Sequence, residues 1–390
     1  MKSKIVLATL LILTTLSVQA EEILRPVFTR DRQFVMTDAV PAESLRLMDS
    51  PVKAFLFSHA ESACGLLVDE AQFRMSQIFQ FQQSSVMGNL RAYFPGFVES
   101  DLKGLQVLVD DFGSARNSFR SFYLKPQHGV LNATISVDCD STSQSFWDAY
   151  IAHELTHHLN KDRGLSQWLD EMLAQQVEIQ NTMTFPVART EVLRNSPWVP
   201  GFFSDNVFQD SQKYAVNLLF GLYVKQLFGE KFFKQIPNGT KSVADFSLVL
   251  QKYISGKPDF AWAKEIVTPA GLIRHFQLAM AINAPMQNGT NFFKINFWSG
   301  FDGAVFTSGS AHLFPGSALR VSTADFIAGV GKKTLPSNLE AYRILKNGWQ
   351  FKIVKANEVV RESWPVDFVI LINTSETQTF DIMDFGSVSR

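Results

Sequence analysis

From residue 146 to about residue 282 the chain is patterned almost throughout as helix, and after Pro285 it turns into short β-type runs. Breaks in the helical part fall at Gly164, around residues 197–201, at Gly239 and at Gly256-Lys257-Pro258. The later runs lie at 292–298, 304–307, 318–321, 351–354 and 367–372, each between turn residues. Upstream, residues 62–93 read as helix, and 105–109 as a strand that ends in the turn Asp110-Asp111-Phe112-Gly113. Residues 130–138 alternate Leu131, Ala133, Ile135 and Val137 against Asn132, Thr134, Ser136 and Asp138, which predicts a half-exposed strand. Strands and helices segregated along the chain in this way predict an α+β fold. The expected organisation is an arm or possible propeptide at 21–50, a domain at 51–285 with a small mixed sheet and a mostly helical half, and a separate β domain at 286–390.

Composition narrows the function. The 390 residues are 46% hydrophobic, ample for a buried core and more than one domain. With 35 Phe and 7 Trp, the chain is neither disordered nor polyionic. Its 36 Lys+Arg and 37 Asp+Glu give a net charge of −1, which argues against a nucleic-acid binder that works by bulk electrostatics. The first twenty residues read as a signal peptide: Lys2 and Lys4, an apolar stretch over 5–16, then Ser17-Val18-Gln19-Ala20 with cleavage after Ala20. That stretch falls short of the roughly twenty residues that span a bilayer, so the expectation is an exported protein, periplasmic or secreted, without a membrane span. Export permits a disulfide, and Cys64 with Cys139 is the one intramolecular pairing possible. In the chain-entropy model such a bridge contributes about 4 kcal/mol.

The chemistry is concentrated in His153-Glu154-Leu155-Thr156-His157. On a helix, positions i and i+4 stack, so both imidazoles can face one metal ion. Glu154 sits about 100° around the helix, where it can take a proton from a water held by the metal. The local sequence favours a helix: Ser145 and Asp148 make a capping pattern, Trp147, Ile151, Leu155 and Leu159 an apolar stripe, and Asn160 and Gly164 natural stops. A catalytic zinc needs a third protein ligand and one open position. Asn160 and Arg163 stand where a metzincin would carry Gly and His. The candidates are Asp170 and Glu171, at the start of the next helix, and a short turn would fold that helix back towards the histidines. Spacing alone leaves both open.

His-Glu-x-x-His followed by Trp168-x-x-Glu171-x-x-Ala174 resembles the gluzincin metallopeptidases, relatives of thermolysin and aminopeptidase N, and among them the hyicolysin-like and peptidase-MA-like branch. The motif match covers 153–174, and a looser likeness of texture runs over about 105–283. The resemblance implies a zincin-like fold for 51–285, zinc on His153, His157 and Glu171, and Glu154 as general base. It also implies an edge strand ahead of the metal helix that pairs with an extended peptide or protein substrate, a place taken by 130–138. Tyr214 is the candidate donor to the tetrahedral oxyanion. Met172 stands where many members have Gly, and is expected to narrow the cleft. Two other readings use the same residues: an inactive zincin scaffold serving as a binding protein or adhesin with a structural metal, and a zinc hydrolase of non-peptide amides.

Among the remaining residues, His158 is expected at a rim or in packing, and Gln175 either orients a ligand histidine or is solvated. His59, His128, His275 and His312 stand isolated, and Asn132, Asn238, Asn288 and Asn373 fit the glycosylation pattern. No Gly-rich phosphate loop and no Gly-x-Ser-x-Gly elbow occurs.

Overall fold

The computed structural model describes residues 26–28, 34–36, 44–112, 120–125, 132–139, 144–182, 187–194, 196, 198–203, 210–282, 309–328, 335–347, 350–357 and 366–385. The predicted signal peptide, most of the 21–50 arm, the runs at 292–298 and 304–307, His128 and Asn288 lie outside these residues. What is described is mixed α and β. Strands β1 (Pro26–Phe28) and β2 (Phe34–Met36) pair with each other. Next come β3 (Ser44–Met48) and β4 (Lys53–Phe57). The predicted helical stretch at 62–93 is three helices, α1 (Ser58–Cys64), α2 (Val68–Ile78) and α3 (Ser85–Tyr93). Gly65, at φ 63°, ends the first, a left-handed conformation that costs a glycine nothing.

Strands β5 (Leu105–Asp110), β6 (Ser121–Leu124) and β7 (Ala133–Asp138) complete a five-stranded sheet in the order β3-β4-β5-β7-β6. β4, β5 and β7 run parallel, while β3 and β6 are antiparallel to their neighbours. Here two expectations for 130–138 are corrected. β7 is not the edge strand, because β6 lies outside it, and all six of its residues are buried, Thr134, Ser136 and Asp138 included. Alternation suggested a half-exposed strand because the sequence cannot display tertiary partners. Asp138 is paired with Arg120 at 2.8 Å and accepts from the Phe112 backbone at 3.3 Å, so its burial is compensated.

The helical middle comprises α4 (Gln144–Asn160), α5 (Gln167–Asn181), α6 (Val187–Arg194), α7 (Asp210–Phe228), α8 (Val243–Ile254) and α9 (Pro269–Ile282). A short strand, β8 (Trp198–Val199), occupies the predicted break near 197–201. α4 starts one residue ahead of Ser145, so that serine lies within the helix and not at its cap. Trp147, Ile151 and Leu155 of its stripe are fully buried. The helix is covered on its other faces as well, by β6 and β7 on one side and α3 and α5 on the other. Among the described residues no helix is long and apolar enough to cross a membrane.

The C-terminal part adds β9 (Gly309–Leu313), β10 (Ala318–Val321), α10 (Thr323–Ala328), β11 (Leu339–Asn347), β12 (Gln350–Lys355), β13 (Val366–Asn373) and β14 (Phe380–Phe385). The second five-stranded sheet has the order β12-β11-β13-β10-β8, so it takes one edge strand from the helical part. On one face, Ala318, Ile344, Phe368, Ile370 and Ile372 join the main core. On the other, Leu319, Val321, Val369 and Leu371 form a second cluster with Leu313 and Phe326. The described residues before 283 and after 308 thus share a core and a sheet. Cys64 and Cys139 form a disulfide that ties the end of α1 to the segment between β7 and α4.

Candidate metal centre

α4 and α5 form an antiparallel hairpin. The turn between them contains Gly164 at φ 62°, and the segment around 237–240 grips it: Gly239 N–H donates to Arg163 O at 2.7 Å and Ser166 N–H to Thr240 O at 3.2 Å. Trp168, in the first turn of α5, packs edge-on against Phe202, Phe220 and Phe246 and donates its indole N–H to Lys241 O at 3.3 Å. About two turns along, α5 lies so close to α7 that a Cβ at Gly221 would meet the Gln176 amide nitrogen at 2.3 Å. These contacts fix the roll of α5, and with it which side chains face α4.

Three side chains converge between the two helices. His153 Nε2 and His157 Nε2 are 3.2 Å apart, and Glu171 places Oε1 3.4 Å from the first and Oε2 3.5 Å from the second. Donors held at about 2.0–2.1 Å from a zinc ion, at a tetrahedral angle, are separated by about 3.3–3.4 Å. His153, His157 and Glu171 therefore form a cluster that could bind a metal. The tautomers agree with this. His153 Nδ1 meets Glu178 Oε2 at 2.9 Å and His157 Nδ1 meets Asp170 Oδ2 at 2.9 Å. A carboxylate only accepts, so each Nδ1 carries a hydrogen, and in the neutral ring each Nε2 is left with a lone pair facing the other. Two lone pairs and a carboxylate aimed at one point repel one another unless a cation or protons lie between them. Burial works against charge on His157, but Asp170 and Glu171 outweigh it and raise its pKa well above the usual imidazole value.

The choice between Asp170 and Glu171 that spacing left open is visible here: Glu171 faces both Nε2 atoms, and Asp170 supports His157 from behind. Every member of the cluster is held in turn. Asp170 accepts from Asn160 at 2.7 Å, and Asn160 from Arg163 at 2.9 Å. Glu178 is clamped by both terminal nitrogens of Arg189 at 3.0 and 2.8 Å. Burial works to raise the Glu178 pKa, yet Arg189 and His153 hold it down at about 2. Gln175 is fully buried; it donates to Glu171 at 3.2 Å and accepts from Arg189 at 3.1 Å, so it steadies the carboxylate and not a histidine.

Glu154, also buried, is not one of the three converging residues; its Oε1 accepts from Ser121 Oγ of β6 at 2.6 Å. Burial raises its pKa, against the pull of His153, His157 and the Ser121 hydroxyl, and so equips it to accept and return a proton.

Other expectations fare differently. His158 is buried packing: Nδ1 meets the Tyr123 hydroxyl at 3.1 Å and Nε2 the Asp101 carbonyl at 2.9 Å. Met172 is fully buried in the core, so it does not narrow a cleft. Tyr214 lies near the start of α7, 37% exposed, and is not one of the three converging residues. Asn373 is buried with its amide on three carbonyl oxygens, which closes that glycosylation pattern in the folded chain. Sequence reasoning missed Ser121, Glu178 and Arg189. The available signal for β6 was Ser121-Phe122-Tyr123-Leu124, a short aromatic run stopped by Lys125-Pro126. No protein-family model matches the chain, and no curated protein matches its sequence.

Proposed function

We propose that the chain is an exported zinc metallopeptidase of the gluzincin type, built on a zincin-like domain, with zinc on His153, His157 and Glu171. The observation that carries this reading is the convergence of His153, His157 and Glu171, with contacts of 3.2–3.5 Å, both rear histidine nitrogens held by carboxylates and a buried glutamate next in sequence to His153. Such carboxylate–histidine pairs fix ring orientation and increase ligand basicity at zinc sites. When bound, zinc polarises a scissile carbonyl and brings the pKa of a coordinated water towards about 7.

Glu154 handles the proton in this scheme. Ser121 occupies one oxygen, and the other takes the proton of the attacking water and passes it to the leaving amine. Substrate is received by β6, the edge strand next to α4, whose main chain has no strand partner beyond β7 among the described residues. Main-chain pairing there suits an extended peptide of variable sequence. Ser121 then links the two tasks, since it belongs to the receiving strand and holds the base. The Cys64–Cys139 disulfide accords with an oxidising, exported setting.

Metal content and cleavage of a broad quenched-peptide mixture, measured on the mature protein and on Glu154→Gln, test the reading. The expectation is one zinc per chain in both, with turnover lower by about 10²–10⁴ in the variant. Zinc in both with cleavage in neither would favour a binding protein with a structural metal, and cleavage of simple amides alone would favour a non-peptide hydrolase.

A further inference from the structure

A cavity of about 570 Å³ opens at the C-terminal end of α4, lined by His158 but by none of the metal-facing residues. That volume suits a small molecule. Tyr93, Phe94, Phe97 and Phe233 supply apolar wall, and Lys103, Lys161, Arg163 and Lys234 bring four positive charges against the two carboxylates of Asp101 and Asp162. Among the described residues none of the three lysines has an ion-pair partner. Asp101 already accepts from the Val98 backbone at 2.9 Å, and both ring nitrogens of His158 are engaged. Arg163 spends one N–H each on Asn238, Asn160 and the Ile236 carbonyl, which leaves two of a guanidinium's five donors. Tyr93 is 4% exposed, and its hydroxyl has no hydrogen-bond partner among the described residues.

We propose that this cavity binds a small aromatic oxyanion, its ring among Phe94, Phe97 and Phe233 and its anionic group against Lys161, Arg163 and Lys234, and that the ligand opposes metal binding. The coupling follows from Arg163, which lines the cavity and also holds Asn160, which holds Asp170, which holds His157. An anion that draws the guanidinium away from Asn160 loosens the support of His157. By linkage, zinc must then weaken the anion by the same factor. The coupling rests on the zinc reading above; the anion site does not.

Calorimetric titration of the full mature chain with phenyl phosphate, in its zinc-loaded and zinc-free forms, tests both parts. One phenyl phosphate should bind per chain, with inorganic phosphate weaker by about tenfold or more, because it lacks the ring. Lys161→Ala with Lys234→Ala should weaken phenyl phosphate by a similar factor through lost charge-assisted hydrogen bonds. Saturating phenyl phosphate should lower zinc affinity about fivefold or more, and Asn160→Ala should keep anion binding but abolish that effect. Equal affinity in parent and lysine variant, or no binding, overturns the anion site. Binding without any change in zinc affinity overturns the coupling. A chain that takes up phenyl phosphate but no zinc would overturn the coupling and the zinc reading while upholding the anion site.

Discussion

The α4–α5 hairpin and the C-terminal sheet both bury polar side chains, to opposite effect. In the sheet, Asn373 donates to the carbonyls of Leu313, Phe314 and Gln378, and its own oxygen accepts from Ser375 N–H at 2.9 Å. Nearby, Arg320 lies over the Phe368 ring at 3.9 Å. The hydrogen bonds of Asn373 end on the chain's own backbone, so they define a turn and leave nothing to offer. In the hairpin, Asp170, Gln175 and Glu178 spend their hydrogen bonds on other side chains, and the histidines and Glu171 keep donors that meet at one point. A polar network reads as structural when it closes on the main chain, and as functional when its lone pairs converge.

The sharpest way to break this contrast is Glu178→Gln. It should lower zinc affinity about 10–100-fold and, by leaving the quarter-exposed Arg189 without its charge partner, cost about 1–3 kcal/mol of stability. Replacing Glu178 and Arg189 together by Met should restore much of the stability but not the zinc affinity, as urea unfolding and metal titration would show.

Between the two regions lies a third kind of buried polar pair, Tyr223 with His275 at 2.7 Å. Burial lowers the His275 pKa to about 4. The unfolded chain therefore binds this proton more readily between about pH 6.5 and 4, and stability falls as pH drops through that window. The expected loss is about 3 kcal/mol, and His275→Phe should flatten urea midpoints over the same range. In Asn373→Ala three carbonyls lose their donor, with an expected cost of about 1–3 kcal/mol and unchanged zinc affinity. The smallest effect belongs to Ser121→Ala: zinc content should hold, while turnover falls about tenfold through one lost charge-assisted hydrogen bond to the base. A Ser121→Ala protein that lost zinc would contradict the separation of base from metal.

Much of this was legible in the residues. His153, Glu154 and His157 needed only helical periodicity, and Gly164, Gly239 and Gly256 marked real chain reversals with positive φ. The runs at 318–321, 351–354 and 367–372 are strands, and Ala318, Phe368, Ile370 and Ile372 pack on one face of their sheet while Leu319, Val321, Val369 and Leu371 pack on the other. What escaped was whatever depends on a partner distant in sequence. β7 looked half exposed because Arg120 and the β6 cover cannot be inferred from its own alternation. Glu178 looked like any helical glutamate until the hairpin set it opposite His153. Met172 sits one position from the Glu171 carboxylate, yet the helical rotation turns it into the core.

The hairpin geometry also separates two dependencies in sequence distance. The three converging residues and the groups that touch them directly, Asp170, Gln175, Glu178 and Arg189, all fall between His153 and Arg189, so the candidate metal centre draws its side chains from one stretch of sequence, even though α5 takes its roll from residues farther along. Glu154 instead depends on a serine 33 positions upstream, in a different layer of the molecule. On the proposed zinc reading, fraying of β6 would leave a chain that still captures metal but no longer aligns Glu154 as base, so metal occupancy by itself would not count competent molecules.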